Sequence, residues 1–489
     1  FDMDNRNRDK ETEKKKGKGG WKASFTTRKF RGGAYATVLS VIAVALVVAV
    51  NMLATKLEIR FDMTDDGKYT LHEETIGLLK GLKDDITIYS LEVSGDELPQ
   101  FEKIFTKYDD YSSHVTLAYK DPVLHPKFVS QYVDDSVQKH SFLVVNESNG
   151  RAKYVDYTDI LVQEFSYSTY QFYTTGIDLE GRLDAAIQYV TNEELPVMYR
   201  ITGHGESALS GGMPELLEKG NVTVQDIQLI SADGIPEDCD ILLFYQPQSD
   251  YTEEEITLVR GWLEKGGYGI FLLDDATPTL KNFNGLLQYY GMDTHEGVVM
   301  EGDSKYFASQ MPYVILPTVY SSDITDSVRG KKYVVAQWAT GITLREDKRD
   351  TVSVTRLLTT SDSSYIKELN SETLVKQEGD PEGPFCVGLM LKESVNGGET
   401  KLAVYSAKYF LAKDMVGSES YGNGDIFLNT ISSFTEQESS VSVPSISIEE
   451  DKIVMSSAEA NRIAILTAIV LPLAIIGAGV FVIVRRRKK

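Results

Sequence analysis

From about residue 57 to 435, apolar positions switch between a two-residue spacing and a three-to-four-residue spacing, predicting strands that alternate with helices. Residues 86–91 read as a strand, 98–112 as a helix with Phe101, Ile104, Phe105 and Tyr108 on one face, and 115–119 as a second strand. A short helix over 126–133 follows, then a hairpin of 142–146 with 152–156 that turns at Ser148, Asn149 and Gly150. Ahead of this small α/β lobe of thioredoxin-like outline, Thr70 stands three residues before Glu73 and fits a capping box for a helix over 71–82. The lobe has no C-x-x-C, which excludes dithiol redox chemistry.

A helix over 178–192 leads into a second series: strand 197–202, helix 213–219, strand-like 222–230, strand 241–245, helix 252–265 and strand 268–273. Thr252 before Glu253, Glu254 and Glu255 is a strong start signal, because acidic residues favour the positive end of a helix. Strand 402–406 and helix 424–434 resume the alternation, and the order predicts an α/β domain with a doubly wound parallel sheet. Between 300 and 400 the pattern thins to short strands at 313–316 and 333–337 and a polar stretch over 345–384, which reads as an insertion.

Two uncharged apolar runs of a different kind lie near the ends, at 34–54 and 463–484. Each has the ~20 residues a bilayer-crossing helix needs, and basic residues flank both on the outer side. The expected organisation is a basic cytoplasmic tail over 1–33, transmembrane helix 34–54, the thioredoxin-like lobe over 57–175 and the doubly wound domain over 176–435. A β-ribbon stalk over 436–461, transmembrane helix 462–484 and a basic tail over 485–489 complete it. This predicts a two-pass plasma-membrane protein with both termini cytoplasmic and its bulk extracytoplasmic. Asn51 in the first run, and Pro472, Gly477 and Gly479 in the second, suit helix–helix contact with a membrane partner.

Charge sharpens the picture. The chain holds 50 basic and 72 acidic residues, a net of -22. Setting aside the 11 basic and 5 acidic residues of 1–33 and the 5 basic residues of 485–489 leaves 34 basic against 67 acidic, a net of -33. Nucleic acid is excluded as a partner, since phosphate binding needs a basic face. With only two cysteines, Cys239 and Cys386, a disulfide framework is excluded and buried free thiols are expected.

Open parallel sheets bind ligands beyond the carboxyl ends of their strands, which singles out His204, Glu206, Gln246, Asp274, Asp275 and Lys408 as crevice candidates. His204 and Glu206 on a glycine-flanked turn have the chemistry of a base and its partner, or of half a metal site. Against catalysis stand the absence of G-x-S-x-G, of H-E-x-x-H and of any Cys/His ligand set. No G-x-x-x-x-G-K-[ST] or G-x-G-x-x-G occurs either, so nucleotide hydrolysis belongs to another chain. No cofactor and no metal are expected, and the turn reads first as structural.

The run RFDMTDDGKYTLHEET, the strand-turn YRITGHGES, the stretch DCDILLFYQPQSDYTEEEITLVRGWLEKGGYGIFLLDD and the late AVYSAKYFL and GNGDIFLNTISSF resemble, in that order, the GldG-family auxiliary subunits of ABC transporters, named from gliding motility. The resemblance spans most of 57–435 and is weakest over 300–400. It implies a non-catalytic accessory subunit working beside a separate ATPase and an ABC-2 type permease, with a central sheet similar to Rossmann or glutamine-amidotransferase domains without the catalytic cysteine. Envelope polysaccharide or another extracytoplasmic protein is the further partner it implies, besides the lipid bilayer. Two rival functions stay open: a polysaccharide-binding module using the crevice near His204 and Asp274, and a hydrolase or transferase using His204 and Glu206.

Overall fold

The computed structural model divides the chain into two units, residues 1–68 and 69–489. It describes residues 69–473 of the second, apart from 134–135, 167–170, 193, 396–397, 417–419, 436–442, 444 and 449–456.

The first sheet is built from β1 (Ile86–Ser90), β2 (Val115–Tyr119), β3 (Phe142–Asn146) and β4 (Ala152–Val155), in the order β2-β1-β3-β4. β1 and β2 run parallel, while β3 is antiparallel to β1 and to β4. Helix Leu179–Thr191 lies against β3 and β4 and buries Leu179, Leu183, Ala186, Ile187 and Val190 into the same cluster as Ile86, Ile88 and Phe142. The helix expected over 98–112 forms only as Pro99–Phe105. At the chain's entry the helix is Glu73–Gly81, capped at His72 without a side-chain bond, so Thr70 makes no capping box. A hairpin of β5 (Leu161–Ser166) and β6 (Gln171–Ile177) precedes the long helix.

The large sheet starts with β7 (Val197–Ile201), β8 (Thr223–Ile227), β9 (Ile241–Tyr245) and β10 (Tyr268–Leu272). β11 (Met292–Thr294) ends this run; β12 (Val298–Met300), β13 (Val314–Ile315), β14 (Thr318–Val319), β15 (Ala336–Gln337) and β16 (Ile342–Leu344) are short. β17 (Val352–Thr359), β18 (Tyr365–Lys367), β19 (Cys386–Val395) and β20 (Gly398–Tyr405) follow. Ten of these form one sheet along the path β11-β16-β19-β20-β10-β9-β7-β8, with β17 and β14 continuing from β19.

Side-chain alternation explains why this sheet is covered on both faces. Ile241, Leu243 and Tyr245 point with Ile270, Leu272, Ala403 and Tyr405 into a core shared with helices Met213–Lys219 and Asn423–Thr435. Leu242, Phe244, Phe271, Leu402 and Val404 point the other way, against helices Glu253–Leu263 and Lys281–Tyr289.

Two expectations are corrected. The sheet is mixed rather than parallel: β8, β7, β9, β10 and β20 run parallel, but β19 folds back antiparallel to β20, and β16, β17, β11 and β14 extend it by antiparallel pairing. The physical reason is the connection between β19 and β20, too short for the crossover a parallel pair needs. The expectation of two transmembrane helices, and with it the two-pass plasma-membrane location, is also overturned. Among the described residues no helix is long and apolar enough to cross a membrane. The late helix Ser457–Ile465 carries Arg462 in its last turn, passes into a π turn over Leu466–Val470 and is described only as far as Leu473. Pro472 is exposed there; Asn51, Gly477 and Gly479 lie outside the described residues, as does the run 34–54.

Candidate functional site

The carboxyl ends of β7, β9, β10 and β20 share one edge of the sheet because these strands run parallel in register. Each candidate side chain follows its strand by one to five residues. Gln246 N–H still donates to Leu272 O and Leu273 N–H to Tyr405 O, so the ladder carries the backbone right up to the site. Glycines make the first turn: Gly203 and Gly205 have φ of 116° and 77°, a region costly for any residue with a Cβ.

The six residues separate into two groups. His204 turns inward and is 8% exposed. Its Nε2 lies 3.1 Å from Glu255 Oε2, its Nδ1 lies 3.3 Å from Glu206 Oε1, and its ring stacks on Tyr251 at 4.0 Å. Tyr251 in turn donates its hydroxyl to Glu206 Oε1 at 3.2 Å. Burial, then the nearby Glu206 carboxylate, lift that phenol well above its ordinary range. Glu255 also closes the capping box of helix Glu253–Leu263, accepting from Thr252 N–H at 2.8 Å. The His204 ring therefore faces carboxylates rather than a hydroxyl or thiol that it would activate.

Gln246, Asp274, Asp275 and Lys408 form the second group. Gln246 is a non-glycine residue at φ 52°, held there by two bonds: Ser207 donates to its Oε1 at 3.0 Å, and its Nε2 donates to Lys408 O at 2.7 Å. Left-handed residues of this kind persist where the surroundings over-determine them, often beside ligand sites. Lys408 Nζ donates to Asp275 Oδ1 at 2.8 Å and lies 3.9 Å from Asp274 Oδ2. Partial burial works against the Lys408 ammonium, but the Asp275 bond and both carboxylates raise it above its ordinary value. Burial pushes the Asp274 carboxyl up, against the pull of bonds from Gln248 and the Ala276 N–H. Beside this group opens a crevice of about 340 Å³ walled by Ser207, Ser210, Tyr245, Gln246, Lys408 and Phe410. Gln246 and Lys408 line it; His204, Glu206, Asp274 and Asp275 do not.

The cysteines offer no nucleophile. Both are free and buried, and burial pushes the Cys239 thiol up to about 12 and raises that of Cys386. Among the described residues no group of three or more His, Cys, Asp or Glu is placed to hold a metal ion. Sequence reasoning missed Tyr251, Gln248 and Ser207, and saw Glu255 only as a helix-start residue. Its capping position was legible; its second bond, to a residue 51 positions away, was not.

The family described as an ABC-type uncharacterized transport system matches residues 185–429, the stretch from the middle of the long helix into helix Asn423–Thr435. No curated protein matches. Among solved structures, the mmIFT52 N-terminal domain is 15% identical at a TM-score of 0.38, covering 49% of this chain and 98% of its own. PurLQS from Thermotoga maritima is 10% identical at 0.27, over 50% of this chain and 100% of that one. A putative GMP synthase component from Thermoplasma acidophilum is 10% identical at 0.25, over 50% of this chain and 96% of that one.

Proposed function

The chain belongs to the auxiliary family of ABC-type transport systems, matched over half its length, and from that membership we propose that it is the non-catalytic accessory subunit of a transporter whose ATPase and permease are separate chains. The family match carries this reading. The crevice beside Gln246 and Lys408 is the surface by which the protein engages substrate or a partner chain. It lies where open α/β sheets bind ligands, and two lysines, two serines, two tyrosines and Gln246 give it hydrogen-bonding walls. Against the hydrolase reading, His204 is packed between Glu206 and Glu255 with no hydroxyl or thiol bonded to its ring.

Affinity capture of the full-length chain at native abundance, read by mass spectrometry, is expected to recover an ABC ATPase and a multi-span permease together. Recovery of the chain without either overturns the proposal. Ser210→Trp, which fills the crevice, is expected to abolish transport-dependent function or co-recovery while the thermal melt stays in place.

A further inference from the structure

Helix Glu73–Gly81 meets helix Leu179–Thr191 through a polar knot inside an otherwise apolar cluster. Glu180 and Asp184, one helical turn apart, are 4% and 1% exposed. The Thr75 hydroxyl reaches both, 2.6 Å from Glu180 Oε1 and 2.6 Å from Asp184 Oδ2. A hydroxyl has one proton to donate. One of these two short contacts must therefore be donated back to the threonine oxygen, and only a protonated carboxyl can do that.

The other partners say which acid holds the proton. Glu180 receives the His72 backbone N–H at 2.7 Å, and its second oxygen faces His72 Nδ1 at 2.9 Å. Among the described residues Asp184 receives, besides Thr75, only the Tyr108 hydroxyl at 2.8 Å, a hydroxyl that also lies 3.1 Å from Glu180 O. No lysine or arginine is bonded to either acid among the described residues: Lys219 spends its ammonium on Asp178, at 3.0 and 3.1 Å, and on Val443 O. Asp184 is the better place for a proton.

We infer that Thr75, Glu180 and Asp184 form a proton-dependent latch that holds helix Glu73–Gly81 against the first lobe and releases it when Asp184 ionises. With Asp184 ionised and the helix still docked, two facing carboxylates share a single hydroxyl proton in surroundings nearly closed to water. Burial first, then the neighbouring Glu180 charge, raise Asp184 to about 7, while Thr75, Tyr108 and Lys219 pull the other way. The change therefore falls in the neutral range. Helix Glu73–Gly81 fully buries only Thr75 and Leu79, with Ile76 and Leu78 half-buried against the same cluster, so the latch is one of a few contacts that attach it. Tyr69, just before it, is held separately by the Lys107 ammonium on its carbonyl and Lys103 over its ring. Release is thus confined to the segment after it.

Hydrogen-exchange mass spectrometry of the full chain between about pH 5.5 and 8.5, expressed as protection factors, tests this. Protection of the peptide over 72–82 is expected to fall about thirtyfold across that range, while the peptide holding β9 stays constant. In Asp184→Asn, whose amide supplies the missing donor at every pH, protection over 72–82 is expected to stay flat. Glu180→Gln removes the facing charge and serves the same purpose if Asp184→Asn does not fold. A flat wild-type profile, a fall shared with β9, or the wild-type fall persisting in a folded variant overturns the latch.

Discussion

Asp184 couples one proton to the docking of helix Glu73–Gly81 on the first lobe. Its folded value of about 7 stands above the ordinary carboxyl value of 3.8, so the folded state binds the extra proton between those pH values. The stabilisation is complete below about 3.8 and is lost as pH rises through about 7. At about 1.4 kcal/mol per unit it is on the order of 4 kcal/mol. Asp184→Asn is therefore expected to hold helix Glu73–Gly81 more firmly than wild type at pH 8 relative to pH 5, read by exchange protection over 72–82 at both. His204 is a residue of the opposite kind, valued for what it separates. His204→Ala leaves Glu206 and Glu255 facing each other without the imidazole, and is expected to cost about 3 kcal/mol by urea unfolding. The thiols make a third test: a thiol reagent at neutral pH is expected to leave Cys239 and Cys386 unmodified in the native chain and to titrate both after unfolding.

Among the elements, helix Glu253–Leu263 and the strands beneath it show how much a short stretch of sequence states outright. Thr252 and Glu255 make the reciprocal capping bonds their spacing announces, and Thr252→Ala is expected to lower stability by about 1 kcal/mol. On the strand side, Phe244 stacks flat on Phe271 at 4.4 Å and touches Phe283. Phe244→Ala is expected to cost about 4 kcal/mol, because the closely packed surroundings cannot collapse into the space. The apolar runs of β9, β10 and β20 were legible for the same reason: a strand buried on both faces needs no polar alternation. The helix over 98–112 was overextended because its apolar spacing continues to Tyr108, while the backbone leaves the helix after Phe105 and delivers Tyr108 to Asp184 through a turn. Thr70 failed as a cap because Glu73 begins the helix and His72 occupies the capping position.

For the molecule as a whole, the acidic excess acts as a distributed repulsion that only counter-ions relieve. With a net charge of -22, raising sodium chloride from ~20 to ~200 mM is expected to raise the melting temperature, since salt screens like charges at the surface. A flat or falling melt would show that local ion pairs, such as Arg345 with Asp293 and Asp347, outweigh the repulsion. The large sheet explains a miss at this scale. Periodicity announced strands, but whether β19 joined its neighbour parallel or antiparallel depended on a connection of a few residues, and β16 and β17, with their partners β11 and β14, joined the large sheet through β19. The crevice is also a property of the assembled sheet, because Gln246 and Lys408 stand 162 positions apart and meet through a backbone carbonyl.

Alternation of strands and helices, the capped start at Thr252, the glycine turn at Gly203 and the acidic balance were all written in the chain, because each arises from residues within a turn or two of one another or from composition alone. The mixed sheet, the burial of His204 between carboxylates and the shared proton of Thr75, Glu180 and Asp184 came from packing. The partners Glu255 of His204, and Glu180 and Asp184 of Thr75, lie 51 to 109 positions away, and an ionisable group's state depends on the solvent and charges that surround it once the core has closed.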